Sequence, residues 1–264
     1  MTLKTTICIP TTFERSEYLL LLINSILNQT KLPSKILFVT NKGQLKKREN
    51  LITQIKNKIS NFCQCEFLES TKSGLANARN YGIDNCNTEV LLFSDDDDIW
   101  SPLKVEKINQ VIEKEGKCIV THDFNRIVKN NIEEMGFKFK FKPGSFFTGF
   151  SNFYGGGSSF CGSLCIFQTL RFNDYRVCED WDFWIRAFIS EVKMKKINEA
   201  LVSYRVHPNR MTNNNYLSSF KIQAWIRIKI ISKLISFVFG VFIGLIFYFI
   251  KNLSLSISEL RKNF

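Results

Sequence analysis

The stretch Val90-Leu91-Leu92-Phe93-Ser94-Asp95-Asp96-Asp97-Asp98-Ile99-Trp100 joins four apolar residues to four consecutive carboxylates. The apolar run is bounded upstream by polar Asn85, Cys86, Asn87 and Thr88, so it has the length and composition of a buried strand. The aspartates then sit at its carboxyl end, where open parallel sheets bind ligands. Adjacent like charges repel by roughly 1 kcal/mol at ~4 Å even in water, and by more when partly desolvated. Four together call for solvent or a hard cation, and Mg²⁺ or Mn²⁺ prefers such oxygen ligands. The competing reading is a solvated acidic turn capping a helix that starts near Ser101 and Pro102.

Working outward, residues 5–10 (TTICIP) read as a first strand, and Ser16 as the cap of a helix over 17–28. Residues 35–40 (KILFVT) predict a second strand, 46–61 an amphipathic helix and 65–68 a third strand. A helix opening on Gly74 precedes the strand at 90–93. Strands alternating with helices predict a doubly wound, mostly parallel α/β sheet flanked by helices. After the acids come a helix at 103–115 and a strand at 118–124. Residues 126–150 are rich in Lys and Phe with hairpin character, and 155–159 (GGGSS) form a flexible loop where backbone can approach a ligand closely. A strand at 162–167, a helix at 178–190 with Glu179, Asp180 and Asp182 in its first turn, and a strand within 196–204 complete this part. The expected division is a domain over 1–216, its halves about 1–125 and 126–216, followed by a separate segment over 217–264.

That last segment changes character. Residues 234–250 (LISFVFGVFIGLIFYFI) carry only Ser236 and the Tyr248 hydroxyl as polar side chains. Extended back to 230, a helix there would span about 31 Å, enough for a hydrocarbon core of ~30 Å. Its aromatic residues go all round the helix, so one apolar stripe does not account for them. A membrane helix at the cytoplasmic face is the expectation; the alternative is a buried helix or a homo-oligomer interface. The formal net charge of +12 points to an acidic partner. Much of the excess, including Lys221, Arg227, Lys229 and Lys233, flanks the apolar run, which favours lipid headgroups. No recognition helix, zinc finger or aromatic-basic signature points to nucleic acid. Eight scattered cysteines lack zinc-ribbon spacing and read as reduced thiols.

Three acid-bearing or basic stretches remain to be explained together: residues 95–98, Glu179-Asp180, and His207 after a later strand. Transfer from an activated phosphate donor needs a cation at the leaving diphosphate and a carboxylate that takes a proton from the incoming hydroxyl. A carboxylate in a helix's first turn is favoured as an anion by the dipole, so Asp180 is expected to be ionised.

Here the chain resembles the family 2 glycosyltransferases of the GT-A fold over about residues 5–212. The resemblance rests on 6–12 with SILNQT at 25–30, SGLANARNYG at 73–82, FSDDDDIWSP at 93–102, EDWDFW at 179–184 and YRVHPNRMT at 204–212. It implies a nucleotide-sugar donor, Mg²⁺ or Mn²⁺, and direct inverting displacement by a glycan or lipid-linked acceptor, of the bacterial surface-polysaccharide type. It implies Asp95 and Asp97 as the Asp-x-Asp pair: Asp97 as the better candidate for direct metal contact, Asp95 or Asp96 toward the ribose or a metal-bound water. It further implies Asp180 as base, Glu179 as acceptor-binding or alternate base, and His207 as a residue reaching the metal or diphosphate. Arg79 is a donor-phosphate or structural arginine, while Trp181 and Trp184 line an acceptor pocket or belong to the core. Where the family carries an aspartate after the second strand, this sequence has Thr40 and Asn41, which leaves base identity open. Thr11 and Glu14 are the other donor-side candidates. Two competing readings are a sugar-phosphate nucleotidyltransferase, whose Gly-rich basic loop is missing after the first strand, and a non-catalytic subunit of a membrane complex.

Overall fold

The computed structural model describes residues 3–128, 131–133, 156–176 and 178–206, with 228, 232 and 235 singly. The apolar runs pair as read. Strands β1 (Thr5–Pro10), β2 (Lys35–Asn41), β3 (Gln64–Ser70) and β4 (Val90–Phe93) are parallel, in the order β3-β2-β1-β4. Every residue of β1 and β4 is buried, because helices cover both faces of the sheet. Alternation sorts the side chains into two cores. Ile7, Ile9, Ile36, Phe38, Val90 and Leu92 face helices α1 (Ser16–Leu27), α3 (Glu49–Ile59) and α5 (Lys104–Glu115). Cys8, Leu37, Val39, Leu91 and Phe93 face α4 (Leu75–Asp84), α6 (Leu164–Leu170) and α7 (Glu179–Ile189). Gly82 of α4 lies where an added Cβ would be 2.2 Å from Cys8 Sγ, so only glycine lets this helix rest on β1.

Beyond β4 the sheet is no longer parallel. β8 (Cys161–Ser163) runs antiparallel to β4, β6 (Ile119–Val128) antiparallel to β8, and β9 (Met194–Arg205) parallel to β6. The two-residue β5 (Ile99–Trp100) then closes on β9 just after the acids. β7 (Asn131–Glu133) returns on β6, which is the hairpin character read near 126–150; the remainder of that stretch lies outside the described residues.

Several expectations are corrected. The strand expected at 162–167 ends at Ser163 and becomes α6, since a short apolar run does not distinguish strand from buried helix. The helix expected over 46–61 is broken at Arg48 into α2 (Gln44–Lys47) and α3. Ser16 is the first residue of α1 rather than its cap. The described part of the glycine loop is a 3₁₀ turn (Gly157–Ser159) with Ser158 and Ser159 buried. All eight cysteines are free thiols. The apolar run at 234–250 lies outside the described residues; among those described, no helix is long and apolar enough to cross a membrane.

Candidate active site

A cavity of about 400 Å³ opens where β1, β2 and β4 end, with the start of α7 opposite. Asp95, Asp96, Asp97, Glu179 and Asp180 face it, and so do Arg15, Arg79, Arg176 and Arg205. The chain thus brings both predicted acid groups to one space, although they lie more than eighty residues apart.

Each of the four consecutive aspartates is partnered, and two of them share Arg15. Asp95 accepts from Arg79 Nη2 and from the Gly157 N–H, both at 3.2 Å. Asp96 accepts from the Thr11 hydroxyl at 2.7 Å and pairs with Arg15 Nη2 at 2.8 Å. Asp97 pairs with Arg15 Nη1 at 2.6 Å. Asp98 points away from the cavity, fully buried, and accepts from the Ser158 hydroxyl at 2.5 Å and the Arg205 N–H at 3.3 Å. Burial, chiefly, pushes Asp96 up to about 6, against the pull of Arg15 and Thr11. The same cause raises Asp98 well above the carboxylate range.

Arg79, read from the sequence as a donor-phosphate or structural arginine, stands between the two acid groups. It is 1% exposed, donates to Glu179 Oε1 at 2.9 Å and to Asp95 at 3.2 Å, and lies over the rings of Phe160 and Phe172. One guanidinium therefore ties the strand-end acids to the helix-start acids. Gly157 makes this possible, since a Cβ there would sit 2.1 Å from Asp95 Oδ1 and 2.3 Å from Arg79 Nη2. The loop glycine thus approaches a carboxylate and an arginine. Ser158 fixes the turn from beneath: its hydroxyl also accepts from the Asp95 N–H at 3.0 Å, and its carbonyl accepts from buried Lys104 Nζ at 2.6 Å.

Asp180 faces the cavity from the first turn of α7 and accepts from the Trp181 N–H at 2.7 Å. The expectation that the helix dipole keeps it ionised is corrected. Burial, with repulsion from Glu179, pushes it up to about 7 despite that hydrogen bond and the attraction of Arg79. A carboxylate poised near neutrality is suited to accepting a proton.

The remaining predicted residues divide. Thr11, Thr40 and Asn41 line the cavity; the Thr40 hydroxyl is buried with no partner among the described residues. Glu14 is exposed and stands outside the cavity wall. Trp184 belongs to the core, stacked 4.4 Å from Phe160, and Trp181 is buried beside Ile185. His207 lies outside the described residues. Sequence reasoning missed Arg15, Arg176, Tyr204 and Arg205 at the cavity and Ser158 and Lys104 behind it. Tyr204 and Arg205 lay within a quoted motif; Arg15, in a short polar loop, gave no signal of its own.

Among the described residues no three His, Cys, Asp or Glu side chains are grouped to hold a metal ion. The strand-end carboxylates nevertheless fit a hard divalent cation. They offer oxygen ligands at a cavity wall, and a cation, the Arg15 guanidinium, already spans Asp96 and Asp97.

Comparison with known proteins bears on the family and the fold. Residues 6–172 match the sequence model of Glycosyl transferase family 2. The chain is 27% identical over 218 residues to the glycosyltransferase MJ1057 of Methanocaldococcus jannaschii, covering 80% of this chain and 72% of that one. It is 23% identical over 216 residues to the O-antigen biosynthesis glycosyltransferase WbnJ of Escherichia coli, covering 79% and 82% respectively. Among solved structures, S. aureus TarS 1–349 superposes with a TM-score of 0.60 at 16% identity, over 76% of this chain and 60% of that one. The same protein in complex with UDP-GlcNAc gives 0.62 at 16% identity, over 81% and 61%. The family match runs from β1 past the acids to the segment that precedes α7, on a sheet shared with TarS, and so the chain belongs to the family 2 glycosyltransferases and has the GT-A fold.

Proposed function

We propose that the protein transfers a sugar, with inversion, from a nucleotide-diphosphate sugar to a hydroxyl of a glycan or lipid-linked acceptor in cell-surface polysaccharide synthesis. One observation carries this reading: Asp95 and Asp97 on one wall and Asp180 on the other share a single cavity. The donor lies along the ends of β1, β2 and β4, its base toward Thr40 and Asn41 and its diphosphate toward Asp95–Asp97. Mg²⁺ or Mn²⁺, held by Asp97 with Asp95 and with His207, would supply the positive charge that the leaving diphosphate needs. Asp180 takes the proton of the acceptor hydroxyl, and Glu179, held in place by Arg79, orients the acceptor. The complexes of TarS with UDP and UDP-GlcNAc support a UDP-type donor, and the O-antigen role in the name of WbnJ supports a polysaccharide pathway. Residues 217–264, basic and apolar, attach the catalytic domain over 1–216 to the cytoplasmic face of the membrane.

The test is a donor panel. UDP-, GDP-, dTDP- and CMP-sugars are offered with Mn²⁺ or Mg²⁺, and thermal shift and slow donor hydrolysis are read. A metal-dependent response to one donor, lost in Asp97→Asn, is the expected result. Silence across the panel in folded protein would overturn the reading and favour a non-catalytic role.

A further inference from the structure

The turn between β1 and α1 is built to deliver one arginine to the acids. Phe13 is held at φ 60°, a conformation rare for a bulky residue and maintained only where the surroundings enforce it. The enforcement is visible: its ring is 1% exposed and stacks 6.2 Å from that of Phe67, and its N–H donates to the Thr11 hydroxyl oxygen at 2.9 Å. Thr11 in turn donates to Asp96. Two residues after Phe13, the Arg15 fork reaches two different carboxylates, Asp96 at 2.8 Å and Asp97 at 2.6 Å. The arginine side chain is 40% exposed, while those of the acids are 4% and 11% exposed. The carboxylates are the buried partners and the guanidinium is the more exposed one.

We infer that Arg15 is an exchangeable counter-cation of the strand-end acids. Without donor it neutralises Asp96 and Asp97. Were Asp97 to hold a divalent cation, the Arg15 guanidinium would be available to the donor's diphosphate, for which a planar fork is well suited. Cation and nucleotide then favour each other's binding, because the arginine displaced by one is used by the other. This inference rests on the metal-dependent reading above and adds a residue that sets the order of loading. Arg15 here both binds donor and governs when the acids are available.

The test reads free Mn²⁺ by its electron paramagnetic resonance and takes the protein-bound ion by difference from protein-free samples with the same UDP, using the full chain in detergent. Wild type, Arg15→Gln and Arg15→Lys are compared with and without UDP, and a thermal melt confirms folding. In wild type UDP should tighten Mn²⁺ binding, within the roughly 5- to 150-fold range usual for coupled sites. Arg15→Gln should bind Mn²⁺ roughly three- to thirtyfold more tightly than wild type without UDP, as a competing charge is gone, and should show a smaller UDP effect, the part left being direct contact between cation and diphosphate. Arg15→Lys, which keeps the charge and loses the fork, should fall between the two. A purely structural role would lower the melting temperature without tightening Mn²⁺ binding. If wild type binds Mn²⁺ and Arg15→Gln binds it equally or more weakly, or keeps the full UDP effect, the inference is overturned and the metal-dependent reading stands. If neither protein binds Mn²⁺ with or without UDP, both are overturned.

Discussion

Four carboxylates end β4 and three open α7, and the chain disposes of the two groups differently. In the extended segment, four neighbouring acids are divided among several partners: Arg79 for Asp95, Thr11 and Arg15 for Asp96, the same Arg15 for Asp97, and the buried Ser158 hydroxyl for Asp98. On the helix, each step turns a side chain by about 100°, so three acids in one turn point three ways. Glu179 reaches Arg79, Asp182 is held by Arg186 Nε at 2.7 Å and Asn173 at 2.8 Å, and Asp180 is left at the cavity with its affinity for protons raised. The strand-end group is paired with guanidiniums, whereas the helix-start group sets one carboxylate, the proposed base, at the cavity. Arg79 is the element common to both.

The largest expected effect tests that assignment of the base. Asp180→Asn should leave metal-dependent donor binding intact and lower turnover by roughly 10²- to 10⁴-fold, the usual range for losing a general base; full activity in that variant would remove Asp180 from the role. Arg79→Met should break the link between the groups. It leaves Glu179 and Asp95 without their shared cation in a largely buried setting, a change that typically costs about 3–5 kcal/mol. Urea unfolding measures this, and a loss below about 1 kcal/mol would show that the acids find other partners. The pH profile comes next. A base raised to about 7 is ionised above that pH and protonated below it, so kcat should fall about tenfold per unit on the acid side. Since Arg79 pulls Asp180 downward, the limb should move to higher pH in Arg79→Met, provided that variant folds. The smallest effect separates neighbours on one helix: Asp182→Asn weakens the bond to Arg186 and should cost about 1.5–3 kcal/mol of stability with turnover unchanged. A loss of turnover comparable to that of Asp180→Asn would erase the distinction between the two acids.

How much of this was legible in the sequence follows from the range over which each feature is determined. The runs TTICIP, KILFVT and VLLF are apolar on both faces, which marks central parallel strands without any tertiary information. The acids at 95–98 and 179–180 stand out by composition, and their meeting follows once the sheet order is granted. Residues 161–170 (CGSLCIFQTL) carry no period that decides between strand and helix, and tertiary contact with α7 and β4 settles it. The ionisation of Asp180 was misjudged because the local dipole is visible in sequence while the burial that opposes it is not. Arg15 was invisible for a similar reason: its meaning depends on a left-handed phenylalanine two residues earlier and on acids more than eighty residues later.

The antiparallel return of the sheet has a consequence for how the protein is made. The ribosome releases Arg15 and Arg79 before the four aspartates, but Ser158 follows Asp98 by 60 residues and Arg205 follows it by 107. At about 5–20 residues per second, the acid cluster waits roughly 3–12 s for Ser158 and 5–21 s for Arg205. During that interval β1 to β4 are complete and can pair, and the two arginines already present are the ones that face the most exposed charges. The nascent chain thus carries early counter-ions for a charge cluster that the finished sheet seals only once β9 has been made, and its birth order matches the order in which its acids need company.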